Sequence, residues 1–175
     1  MSIKHKLLTG LIAAVSLLTA AAPTRAAWIY ANGGSYYTAK GPSQYWHYVY
    51  NEGYCGKYAK WCGPNHFVWT YNSTANFGYT NAAVWRIEPA QQYFSRAYAF
   101  IPRRDATANP AFYDIGYAGA STNQSGVNQL AYYDQWAPLA YGKSLYMIAS
   151  VYLDDNRRGY GSLAKVAFDE IKIEN

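Results

Sequence analysis

From residue 66 onward the chain is a succession of short runs rich in Val, Ile, Tyr, Phe and Trp, separated by Gly, Pro, Asn and Asp. Runs punctuated in this way predict strands packed into an all-β sandwich or barrel, here at 66–71, 82–87, 93–101, 111–117, 127–133, 145–153 and 164–173. No stretch carries an apolar stripe at helical spacing, so helix content should be low.

Period-two alternation assigns faces within several runs. In 145–153, Leu145, Met147, Ala149, Val151 and Leu153 share the side expected to face the core, opposite Tyr146, Ile148, Ser150 and Tyr152. In 93–101, Tyr93, Ser95, Ala97, Ala99 and Ile101 oppose Phe94, Arg96, Tyr98 and Phe100. The small residues of the first set fit close sheet-on-sheet packing, but both sides are apolar, which leaves the buried one open. Breaks fall at Pro102-Arg103-Arg104-Asp105, at Ala108-Asn109-Pro110, and at the polar segment 119–126, which reads as a turn or loop. Residues 28–65 are interrupted by Gly33-Gly34, Gly41-Pro42, Gly53 and Gly63-Pro64. They read as a loop-rich, aromatic N-terminal elaboration of one domain, 28–175, whose sandwich core is 66–175.

Residues 1–27 have a different pattern. Lys4, His5 and Lys6 precede an uncharged apolar run from Leu7 to Ala22, followed by the small-residue segment Thr24-Arg25-Ala26. This order predicts a secretory signal peptide, cleaved after Ala26 or Ala27. The uncharged run is shorter than the roughly 20 residues a spanning helix needs, and no second run of that length follows. The expectation is a secreted protein, extracellular or associated with the cell envelope, with no membrane span.

Export changes the charge. Loss of Lys4, Lys6 and Arg25 reduces the 15 basic side chains to 12, against 10 acidic ones. What remains is scattered in pairs such as Arg103-Arg104 and Arg157-Arg158 rather than gathered into a stripe, so no nucleic-acid partner is expected. In an oxidising compartment Cys55 and Cys62 read as one disulfide closing a short loop. The competing metal site would have to recruit both His47 and His66.

The composition points to chemistry of another kind. All 20 Tyr and all 6 Trp follow the leader. Flat amphipathic rings stack on the apolar face of a pyranose while neighbouring amides, carboxylates or guanidinium groups hydrogen-bond its hydroxyls. The candidates for such contacts are Tyr45, Trp46, Tyr48, Tyr58, Trp61 and Trp69. As a strand, Tyr45 to Tyr50 would place Trp46, Tyr48 and Tyr50 on one face and Tyr45, His47 and Val49 on the other. Any one of these rings could equally fill a core poor in Leu and Ile. Trp61 is the ring expected in solvent, because Lys57 and Lys60 flank it in the disulfide loop; Trp85 and Trp136 are expected in the core.

Asp154, Asp155 and Asp169 offer oxygen ligands of the type calcium takes, and a bound ion there would be structural. Aspartates are also ordinary turn residues, and the spacing is not that of a calcium-binding helix-loop-helix. No cofactor is otherwise expected. No Gly-x-Ser-x-Gly or His-Glu-x-x-His pattern occurs, so no catalytic residue is assigned. A carboxylate pair drawn from Glu52, Glu88, Asp114 and Asp134 is the remaining route to glycan hydrolysis.

The ordered set Ala83-Val84-Trp85-Arg86, Ala97 to Pro102, Ala111 to Ile115, Trp136 to Leu139, Val151 to Asp155 and Val166 to Ile171 resembles the C-terminal β-sandwich domain of golvesin-type and xanthan-lyase-type secreted proteins. The resemblance implies a jelly-roll-like antiparallel β-sandwich of carbohydrate-binding type. The expected function is noncatalytic binding of a polysaccharide or cell-wall glycan. A structural or adhesive protein that contacts other proteins or copies of itself is the alternative, followed by a small glycan hydrolase.

Overall fold

The computed structural model describes residues 27–73, 81–88, 96–141, 147–156 and 163–174. Of the expected leader, 1–27, residues 1–26 lie outside the described residues, as do residues 93–95 and 145–146 of two expected strands. Among the described residues twelve strands run in chain order as β1 Ala27–Tyr30, β2 Tyr37–Lys40, β3 His47–Tyr50, β4 His66–Tyr71, β5 Ala82–Arg86, β6 Arg96–Ile101, β7 Ala111–Tyr117, β8 Ala120–Val127, β9 Gln135–Tyr141, β10 Ile148–Asp154, β11 Lys165–Phe168 and β12 Ile171–Glu174. They form an all-β, antiparallel sandwich of three open sheets, ordered β1-β12-β6-β9, β2-β5-β10-β7-β8 and β11-β4-β3.

Alternation places the core. The small side of β6 is the inner one: Ala97, Ala99 and Ile101 are buried, as are Ile171 and Ile173 beside them on β12. Across the interface the five-stranded sheet presents Trp85, Val151, Leu153, Tyr113 and Ile115, all buried. Alanines on β6 leave room for the large Trp85 and Tyr113 rings in one buried cluster. In β10 the expected phase holds for Val151 and Leu153 but reverses at Ile148, which is also buried. The register against β7 shifts between Ile148 and Ser150, and such an irregularity inverts the side-chain alternation.

Three expectations are corrected. The segment 119–126, read as a polar loop, is mostly β8, an outer strand of the five-stranded sheet whose polar side chains largely meet solvent. The segment 127–133, read as a strand, instead becomes a short 3-10 turn, Gln129–Ala131, because the Asn128 side chain accepts from the Leu130 N–H at 3.1 Å. Gln129 is then buried, its amide donating to the Ala167 carbonyl at 3.0 Å and to Tyr113 Oη at 3.1 Å. Finally, 164–173 divides at Asp169–Glu170 into β11 and β12, which belong to different sheets. The chain therefore carries two adjacent carboxyl groups through the interior.

Residues 28–65 contribute to the sheets themselves. β1 pairs with β12, β2 with β5 and β3 with β4, giving each sheet one outer strand. Four-residue strands such as these hold only because each borrows the hydrogen-bonding edge of a strand already packed.

Candidate functional site

Residues of the five-stranded and three-stranded sheets line a cleft of about 270 Å³, formed by Asn32, Gly33, Tyr37, Ala39, Trp46, Tyr48, Pro64, His66 and Val68. Register explains its walls. Tyr37 and Ala39 lie opposite Trp85 and Ala83 on the inner face of the larger sheet. Tyr48 lies opposite Val68, and Tyr50 opposite His66, on the facing side of the smaller one. Exposure grows as the opposing layer runs out: Trp46 is 9% exposed, Tyr48 54% and Tyr50 65%. Trp46 is anchored edge-on against Phe168, with ring centroids 4.9 Å apart. Tyr48 and Tyr50 lie nearly parallel at 17°, centroids 6.3 Å apart, with His66 within 5.2 and 5.5 Å of them.

The cleft is polar as well as aromatic. Partial burial lowers the His66 pKa, so the imidazole is neutral near pH 7 and offers one donor and one acceptor. Burial also pushes the Tyr37 phenol well up, with Tyr48 and then Glu170 adding to the effect. Glu170 itself is fully buried, and burial pushes its carboxyl up to about 8. The N–H groups of Glu170, Cys55, Tyr54 and Asn32 pull the other way, but neither carboxyl oxygen has a partner at hydrogen-bond geometry among the described residues.

A second aromatic region surrounds the Cys55–Cys62 disulfide, whose Cα atoms are 5.6 Å apart. Gly53 enters this loop at φ 78°, a conformation that favours glycine. The turn Tyr54–Tyr58 lies over the outer face of the β6–β9 pair, where the Tyr54 ring meets Trp136 at 4.8 Å and Phe100 at 5.3 Å. Trp136 is therefore not a core residue like Trp85. It is half-buried beneath the loop, with Lys172 Nζ 4.9 Å from its ring. Trp61 projects from the same loop and is 80% exposed.

The six expected ring contacts thus separate. Trp46 and Tyr48 meet in the cleft, Tyr58 and Trp61 belong to the disulfide loop, and Tyr45 is exposed at the end of the 3-10 turn Ser43–Tyr45. Trp69 is buried on the opposite side of β4, stacked on His47 at 4.0 Å with Lys165 Nζ 4.4 Å from its ring. Tyr37, His66 and Asn32 complete the cleft but were not among those six. The signal for His66 was its position two residues before Val68, on the same side of an expected strand.

The three aspartates considered for calcium do not converge. Asp155 accepts from Thr70 Oγ1 at 3.2 Å and the Asn81 N–H at 3.0 Å, Asp154 accepts from the Asn156 N–H at 3.0 Å, and Asp169 accepts from the Glu170 N–H at 3.1 Å. Among the described residues no group of three or more His, Cys, Asp or Glu is placed to hold a metal ion. Of the carboxylates considered for hydrolysis, Glu52 pairs with Arg104, Asp114 accepts from Gln124, and Asp134 pairs with Lys57. Among the described residues no helix is long and apolar enough to cross a membrane.

These features define an all-β antiparallel sandwich with aromatic surface clefts. A solved xanthan lyase from Paenibacillus has a similar fold, with a TM-score of 0.56 over 84% of this chain at 16% identity. The chain matches 13% of that protein's length. No family model and no curated protein matches the sequence.

Proposed function

We propose that this is a secreted, noncatalytic glycan-binding module that takes a polysaccharide or cell-wall glycan in the cleft between β2 and β3. The observation that carries the reading is the cleft itself: an aromatic wall of Trp46, Tyr48 and Tyr37 beside Asn32 and a neutral His66. Rings supply the stacking surface and the His66 imidazole supplies a hydroxyl partner, whereas the buried Asn32 amide donates to the Phe168 carbonyl at 3.4 Å and closes the floor of the cleft. The half-exposed Tyr48 is the ring best placed for a sugar to reach. The resemblance of the ordered motifs between Trp85 and Ile173 to golvesin-type domains agrees with this reading. So does the fold likeness to a lyase named for the polysaccharide xanthan. The leader pattern and the disulfide favour export to an oxidising compartment.

Affinity for one short glycan should be modest, because stacking is offset by the cost of desolvating hydroxyls. Several copies on one polymer would raise it. The test is sedimentation of the protein with insoluble polysaccharides and cell walls, with soluble sugar assayed in the same tubes. Selective pelleting without sugar release, reduced by Tyr48→Ala, is the expected result. Release of soluble product over time would refute the noncatalytic part, and absence of pelleting with every glycan would refute the whole.

A second reading rests on one feature: β3 is an outer strand that carries two exposed tyrosines, Tyr48 and Tyr50. An open strand edge with aromatic side chains also suits self-association. Concentration-dependent oligomers in sedimentation velocity, unaffected by glycan, would favour that alternative.

A further inference from the structure

We infer that the protein carries a second binding site, for the carboxylate of an acidic sugar, in the open cleft of about 590 Å³ lined by Tyr58, Arg103, Tyr133, Asp134 and Gln135. The inference rests on the glycan-binding reading but uses none of the residues of the β2–β3 cleft.

The site is organised around Asp134. Its carboxylate accepts from Lys57 Nζ at 2.8 Å, from Tyr58 Oη at 3.0 Å and from the Arg103 N–H at 3.0 Å. Burial alone would raise the Asp134 pKa, but the donors Lys57, Tyr58 and Arg103 outweigh it and hold the group ionised. Its negative charge is matched by Lys57, so it does not repel an incoming anion. The Tyr58 ring and the Arg103 backbone are held in place by bonds that leave their outer surfaces open. And because Arg103 uses its main-chain N–H, its guanidinium is left exposed, with no ion pair to it among the described residues.

Charge and shape then select the ligand. Lys57 neutralises Asp134, Arg104 neutralises Glu52 and Lys165 neutralises Asp105, which leaves Lys60 and Arg103 as cations with no ion pair among the described residues. A guanidinium fork matches the two oxygens of a carboxylate, which a neutral hydroxyl cannot reproduce. The Tyr58 and Tyr133 rings, each more than half exposed, are available to the apolar faces of the sugar, and the Gln135 amide can both donate to and accept from its hydroxyls. The ligand class that uses all of these groups is a uronic-acid-containing polysaccharide.

The experiment compares binding of the full-length exported protein to polygalacturonate and to its methyl ester, which keeps the sugar backbone and removes the charge. The free acid should bind about tenfold more tightly at low salt, the worth of one charge-assisted contact. Arg103→Gln should abolish that preference, Arg103→Lys should restore part of it, and added salt should weaken the acid alone. Thermal denaturation should show Arg103→Gln folded, since the bond to Asp134 comes from the backbone; Tyr133→Ala, read on affinity for both polymers, is the second variant. Equal binding of acid and ester, an unchanged preference in Arg103→Gln, or no binding to either polymer overturns the inference. If neutral glycans still pellet the protein through Tyr48 in any of those cases, the proposed function survives. If no glycan of any kind retains it, both fall together.

Discussion

Replacing Glu170 by glutamine should remove most of the dependence of stability on pH between neutrality and mild alkali. Glu170 is buried where the chain crosses from β11 to β12, with Asp169 beside it and Tyr37 within electrostatic reach. Burial raises its carboxyl from an ordinary 4.5 to about 8. Between those values the folded protein retains a proton that the unfolded chain has released, so stability falls as pH rises through the interval and is fully present only below it. Each pH unit costs about 1.4 kcal/mol, giving up to about 5 kcal/mol by pH 8. That is an upper figure, since small movements of the Asn32, Tyr54 and Cys55 N–H groups toward the anion would lessen it. Set against about 5–15 kcal/mol for a whole domain, the loss is large. His66 acts in the opposite sense: its lowered pKa removes stability only as pH falls below 6.5. Urea unfolding at intervals from pH 7 to 8.5 therefore isolates Glu170. The wild type should weaken over this range while Glu170→Gln stays level. The same slope in both proteins would refute the assignment.

The two cleft rings should divide by role. Trp46→Ala should cost about 3–5 kcal/mol in chemical denaturation, as for other buried aromatics, whereas Tyr48→Ala should reduce glycan pelleting with stability changed by less than about 0.5 kcal/mol. Trp61→Ala should likewise leave the unfolding midpoint unchanged, because its ring is almost wholly in solvent; a large loss of stability would contradict that placement. Gly53→Ala should destabilise by at least about 2 kcal/mol, since the new Cβ would lie 2.7 Å from Asp169 Oδ2 at a φ of 78°. Removing the disulfide by a Cys55→Ser, Cys62→Ser pair should cost about 2.5 kcal/mol for a crosslink seven residues apart. Limited proteolysis should then cut first within 53–63.

Local pattern alone was enough for the all-β class, for the ranges of β4 and β7, for the burial of Trp85, Val151 and Leu153, and for the bridge between the two cysteines. Each follows from alternation, from a bulky apolar residue inside a strand, or from the presence of only two thiols. The solvent position of Trp61 was legible for the same reason, because the lysines around it resist burial. What the pattern could not supply was partnership. Strands β1, β2 and β3 are too short to assert themselves and exist through β12, β5 and β4. β8 looked like a loop because its polar side chains largely face water, yet its backbone bonds to β7. Gln129 could be buried only where a strand from 38 residues away met its amide. Trp46, Tyr48 and Tyr50 were placed on one face by sequence, but that Trp46 is an anchor and Tyr48 a surface depended on where the opposing sheet ends. A residue's direction is set by its own backbone; its burial is set by what other chain segments bring within contact distance, and only the tertiary structure decides that.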